Sequence, residues 1–207
     1  MNLPLIYLAS QSPRRQQLLT QIGVSFELLL PRDTQAAEAL ETELHNESPM
    51  IYVKRVTMLK LQAAKAQMLQ ERLPLRPVLC ADTTVALNDR ILGKPLDETH
   101  AIRMLSALSG QTHQVFTAVA VNAGKRNWCS VQRSKVTFDT LSPGEIEAYV
   151  RTGEPMGKAG AYAIQGRAAM FIKRIQGSHS GIMGLPVFET SRLLQRITKD
   201  QTCNMTS

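Results

Sequence analysis

The apolar run VLCADTTVAL at residues 78–87 constrains the fold more than any other stretch of the chain. Rich in aliphatic and β-branched residues and followed by Asn88-Asp89, it reads as a strand turning into a short partner at 90–92. Asp82 interrupts it. A carboxylate withdrawn from water is costly unless it is paired or bound to a metal. Strand alternation puts Asp82 and Thr84 on one face and Thr83 on the other. Asp82 is then a general base, a ligand for a hard cation, or a strand-end aspartate capping a turn.

Strands and helices are mixed along the rest of the chain. A strand at 5–9 leads into a helix at 13–22 ended by Gly23, and a second strand is expected at 26–30. The acidic stretch 31–47 reads as a loop. Ser48-Pro49 starts a helix to about Arg72, with Tyr52, Val56, Leu59 and Ala63 as its apolar stripe. Asp97 caps a helix to about Leu108, stopped by Gly110. Strands at about 113–122 and 127–138 follow, and Ser142 and Glu145 form a capping box opening a helix to Arg151. The glycine-rich GKAGAYAIQG precedes a strand at 169–175, and a last helix spans about 186–196. This order predicts an α/β fold with antiparallel hairpins in its sheet. Residues 1–197 are read as a single domain and 198–207 as a frayed tail.

Ser12-Pro13 reads as a hydroxyl N-cap followed by a proline at the first helical position. Arg14 and Arg15 fall in that first turn, where the helix dipole disfavours cations. Either both point to solvent, or an anion sits at the helix end. Because cations in a first turn slightly oppose the helix dipole, replacing either with Ala should leave folding unchanged or marginally improved.

Bulk properties narrow the function. The net charge of +7 allows nucleic acid, a membrane surface or small anionic substrates. Only 5% of residues are aromatic, and no base-stacking platform or basic run is visible, which argues against nucleic acid. No apolar run reaches the ~20 residues that span a bilayer, and no secretory signal is evident. Cys80, Cys129 and Cys203 are widely spaced and odd in number, which fits a reducing cytoplasm.

Several polar residues have a functional and a bland reading. Lys60 borders the apolar stripe of its helix and by position alone reads as a snorkelling lysine on a solvated face. Lys94, between a strand and a helix cap, is a presented functional group or a polar turn residue. Gln165 satisfies a backbone group or reads a base edge. His113 and His179 have no metal-ligand spacing and are taken as structural.

In this order, SQSPRR, ADTTV, GKPLD, LSGQTHQVFTAV, KAGAYAIQG and GLPVFET resemble the blocks of the Maf-like nucleoside triphosphate pyrophosphatases, over about residues 5–194. The resemblance implies a mixed central sheet flanked by helices, with two lobes around a cleft, similar to inosine triphosphate pyrophosphatases. It implies hydrolysis between the α- and β-phosphates with Mg²⁺ or Mn²⁺ as cofactor, giving the monophosphate and pyrophosphate. Ser10, Arg14, Arg15, Lys60 and Lys94 would hold the triphosphate, and Asp82 would be general base and metal ligand. Arg14, Thr83 and Gln165 match positions associated with base choice, in the pattern of the branch acting on dTTP and UTP. Homodimers are common in the family.

The chain departs from the family at carboxylates. An acidic pair falls on Thr34 and Gln35 in an ungapped count, and two further acids on Gly93 and Gly157. Asp33 or Glu38 could substitute if the loop shifts. The competing readings are the same chemistry on a modified guanine nucleotide, and a catalytically weakened nucleotide-binding regulator linked to cell division.

Overall fold

The computed structural model describes residues 3–205, the side chains of 199–205 excepted. Its elements in chain order are β1 (Ile6–Leu8), α1 (Pro13–Gln21), β2 (Phe26–Leu28), α2 (Thr34–Ala39), α3 (Pro49–Gln70), β3 (Val78–Leu87), β4 (Arg90–Leu92), α4 (Glu98–Leu108), β5 (Thr112–Ala123), β6 (Arg126–Phe138), α5 (Pro143–Val150), β7 (Ile172–Gln176), α6 (His179–Met183) and α7 (Val187–Met205). Short 3₁₀ turns lie at Ala159–Ala161 and Arg167–Phe171.

The sheet runs β2-β1-β3-β5-β6-β7 and is mixed, as the sequence predicts. β1 is parallel to both β2 and β3, whereas β3, β5, β6 and β7 alternate in direction. On its outer edge, β3 pairs with β1 at Val78 and Leu79 and with β4 at Val85, Ala86 and Leu87. The ladder on that edge is therefore open at residues 80–84, while β5 pairs the other edge from Val78 to Ala86.

The core is interrupted at the same level. Alternation along β3 sends Val78, Cys80 and Ala86 toward α3. On the opposite face, Leu79 and Ala81 pack with α1 and α7, and Val85 packs with α4, α5 and the 3₁₀ turns. Between these apolar clusters stand Asp82, Thr83 and Thr84, with no bulge in the β3–β5 register. Each face thus has an apolar cluster on either side of one polar belt. That belt, beside an open sheet edge, is where a cleft forms.

Local sequence explains most boundaries. The Asp97 carboxylate accepts from the His100 amide at 2.6 Å, and Ser142 and Glu145 close the expected capping box. Ser12 and Ser48 stand at N-cap positions, each followed by Pro at the first helical position as expected, but neither side chain makes a cap bond.

Other expectations are corrected. Residues 34–39 are a short helix, capped by Asp33 through the Ala36 amide at 3.0 Å, rather than loop. Residues 167–171 form a 3₁₀ turn, so the final strand starts at Ile172. On α3 the buried stripe is Tyr52, Val53, Val56, Thr57, Leu61, Ala64 and Met68. Leu59 is only half-buried and Ala63 is exposed, because α3 passes the cleft at Ala63 and no strand covers it. The last helix, expected to end at about 196, runs on through most of the expected tail as α7 to Met205; the side chains of 199–205 and all of 206–207 lie outside the described residues.

Candidate active site

A cleft of about 750 Å³ opens over the polar belt, lined by the β1–α1 turn, α2, α3, β3, the segment after β4 and the glycine-rich 157–165 stretch. Ser10, Arg14, Arg15, Lys60, Asp82, Thr83, Lys94 and Gln165 all reach its walls. Each side of β3 supplies a different chemistry.

On the α3 side the groups are charged. Lys60 comes from α3 opposite Asp82, and its ammonium donates to Asp82 Oδ1 at 2.6 Å and to Glu41 Oε1 at 2.7 Å. Lys94 donates to the other Glu41 oxygen at 3.2 Å. Burial works against the Lys60 charge, but Asp82 and Glu41 outweigh it and raise its pKa. Burial also opposes the Glu41 charge, yet the two lysines hold its carboxyl below the usual range. Both stay ionised at neutral pH.

On the α1 side the groups are arginines and hydroxyls. Arg15 is half-buried; its Nε donates to the Gly184 carbonyl at 2.8 Å and its Nη1 to Ser10 Oγ at 3.0 Å. Arg14 Nε donates to the Met183 carbonyl at 3.2 Å. These carbonyls lie where α6 ends, and a helix end leaves its last carbonyls without partners. The first-turn cations of α1 therefore answer the negative end of α6. This corrects the expectation that both arginines are neutral to folding, because Arg15 ties α1 to the 184 turn. Burial pushes both guanidinium pKa values down from their ordinary value. Gly184, at φ 119°, presents its carbonyl to Arg15 in a conformation that favours glycine.

Glu41 is the residue that the sequence reading missed. The ungapped count reached only Thr34 and Gln35, and the α2 turn carries the chain on before it returns to the cleft. Tyr52 Oη donates to the Glu41 carbonyl at 2.8 Å and Arg55 to the Thr42 carbonyl at 2.9 Å, pinning the segment to α3. The acidity of the stretch 31–47, expected to be loop, is the available signal. Of the substitutes considered, Asp33 is spent on capping α2, and Glu38 lies exposed on the cleft wall. Thr34 lines the cleft, whereas Gln35 is not among the described lining residues. Gly93 and Gly157 both line it; Gly157 has φ 71°, where an acidic side chain would be strained.

His113 is structural, as expected. It is buried, its Nε2 lies 2.8 Å from Tyr162 Oη, and its ring meets Phe138 and Tyr162 edge-on.

Among the described residues, no group of three or more His, Cys, Asp or Glu side chains converges as a metal cage. Two carboxylates, Asp82 and Glu41, do converge on one positive charge, the Lys60 ammonium. Such a pair suits a hard cation that brings further oxygens with it on phosphates.

A family model described as Maf-like protein matches residues 5–197. A dTTP/UTP pyrophosphatase of Albidiferax ferrireducens is 57% identical over 190 residues, covering 92% of this chain and 95% of that protein. One from Burkholderia orbicola is 57% identical over 194 residues, covering 93% of this chain and 92% of its own. A solved dITP/XTP pyrophosphatase structure from Mycobacterium abscessus is a looser likeness, with TM-score 0.40 and 13% identity over 65% of this chain and 74% of its own. With nearly its whole length matched, the chain belongs to the Maf-like protein family.

Proposed function

We propose that the protein hydrolyses dTTP and UTP to the monophosphate and pyrophosphate. The observation that carries this reading is the meeting, at the open edge of β3, of four cations with a carboxylate. The cations are Arg14, Arg15, Lys60 and Lys94, and the carboxylate is Asp82. The names of the relatives at 57% identity support the same substrates.

In this reading the arginines and lysines bind the triphosphate and offset its charge. Water adds to phosphorus as the bond to the α–β bridging oxygen breaks, and pyrophosphate leaves with the electron pair. Asp82 takes the water's proton. Its Oδ1 is engaged by Lys60, which leaves Oδ2 for the proton. Asp82 and Glu41 would hold Mg²⁺ or Mn²⁺, which polarises the phosphoryl oxygens when bound. Gln165, exposed on the cleft wall, and Thr83 face the base. A cytoplasmic setting belongs to this reading, supported by the free thiols of Cys80 and Cys129, as does a homodimer, which only the resemblance supports. Among the described residues, no helix is long and apolar enough to cross a membrane.

The test is a panel of nucleoside triphosphates, dTTP, UTP, CTP and modified guanine nucleotides, with Mg²⁺ or Mn²⁺, assayed for pyrophosphate. Release from dTTP and UTP is expected. Release only from a modified guanine nucleotide, or binding without turnover, would overturn the reading in favour of that substrate or of a regulator.

A further inference from the structure

Thr117, on β5, is fully buried and directly opposite Thr83 in the β3–β5 register. Its Oγ1 lies 2.7 Å from the Gly181 carbonyl oxygen and 3.1 Å from Thr83 Oγ1. Two oxygens at 2.7 Å need a proton between them, and a carbonyl has none to give. The single Thr117 proton is therefore committed to Gly181. Thr117 can then only accept from Thr83, so the Thr83 proton is committed too. What Thr83 turns toward the cleft is lone pairs alone. The polar group nearest them is Arg15 Nη2, a donor, at 3.5 Å.

We propose that Thr117 is a positioning residue for base choice: by fixing Thr83 as an acceptor, it makes the cleft favour a base whose ring nitrogen carries a proton. This rests on the pyrimidine nucleotide reading above. Uracil and thymine carry N3–H; cytosine, nearly the same shape, has a bare N3 that would face lone pairs. A buried polar group left without its partner discriminates far more strongly than a small change in shape does. Without the Thr117 hydroxyl, the Thr83 proton is free to rotate toward the cleft and meet cytosine N3.

The test compares kcat/KM for UTP and CTP, and Kd for UMP and CMP, in wild type, Thr117→Val and Thr117→Ser. Wild type should prefer uracil in both measures. Thr117→Val, close in shape but without the hydroxyl, should cut the uracil-to-cytosine ratio about ten-fold, and Thr117→Ser should restore it. Equal losses on both bases in Thr117→Val would show a merely structural role and overturn the proposal, as would a wild type that does not prefer uracil. If Thr117→Val does not fold, Thr83→Val serves instead. It should weaken UMP more than CMP, and equal weakening would overturn the proposal. The monophosphate Kd ratio needs no turnover. A wild type that binds UMP over CMP but releases no pyrophosphate would sink the catalytic reading and leave this one standing.

Discussion

Lys60 and His113 are both nitrogen bases withdrawn from water, and burial alone would lower the pKa of each. For His113 burial is the whole story: no charge faces it, its pKa falls to about 4, and it stays neutral among Phe138 and Tyr162. For Lys60 burial is outweighed, because Asp82 and Glu41 stand 2.6 and 2.7 Å from its ammonium. The fold thus keeps charge where two carboxylates can be brought to it and expels charge where they cannot. The first place is a cleft at an open sheet edge. The second is the closed cluster under α4 and α5. One region is organised to meet an anion, the other to hold the sheet together.

The largest effect should come from breaking the charged region at its carboxylate. Asp82→Asn keeps the shape and removes the proton acceptor. Loss of a positioned general base typically costs ~10²–10⁴-fold in rate. kcat should fall by that order while nucleotide binding survives, since the arginines and lysines remain. If the variant kept a third of wild-type kcat, Asp82 would be a partner for Lys60 and no more.

The neutral region should show itself in stability rather than rate. The folded His113 pKa lies below its ordinary 6.5, so the unfolded chain binds its proton first as pH falls. Stability is thus fully kept above about pH 6.5 and lost on descent toward about 4, by roughly 3 kcal/mol. His113→Gln, which can still reach Tyr162 Oη, should flatten the dependence of Tm on pH between 6.5 and 5 and leave kcat close to wild type. Superimposable pH slopes would mean that His113 does not enter the fold neutral, and the contrast with Lys60 would collapse.

The two regions were unequally legible in the sequence. Val78–Leu87 and Glu98–Leu108 could be bounded closely because pattern and punctuation agree there: β-branched runs, an Asn-Asp turn, an aspartate cap. Residues whose role follows from a single dominant neighbour, such as Asp82 in an apolar strand, stood out too. What stayed hidden depends on distant backbone. Nothing local to Arg14 and Arg15 reveals that they meet the Met183 and Gly184 carbonyls. Glu41 stayed hidden because α2 changes how many residues separate the second strand from the cleft. Thr117 looked like any β-branched strand residue, since its weight comes from the one proton it has to give.

The smallest expected effect tests the carboxylate pair itself. If Glu41 completes the charge environment that the expected acids at Thr34 and Gln35 do not, then removing its charge should matter and restoring charge at Gln35 should not. Glu41→Gln leaves Lys60 paired with Asp82 alone and takes one hard oxygen from any cation that the triphosphate carries in. The Mg²⁺ concentration giving half-maximal rate should rise several-fold, and Mn²⁺, which tolerates a mixed ligand set better, should recover part of the loss. Gln35→Glu should leave the metal titration where it is, because Gln35 sits on the first turn of α2 and outside the described cleft lining. The two substitutions form an internal control, one removing a carboxylate from the cleft wall and the other adding one to the surface behind it. A shift with Gln35→Glu and none with Glu41→Gln would mean that α2 rearranges when nucleotide binds. Glu41 would then be only a tether for two lysines, and the charged region would owe its cation affinity to Asp82 alone.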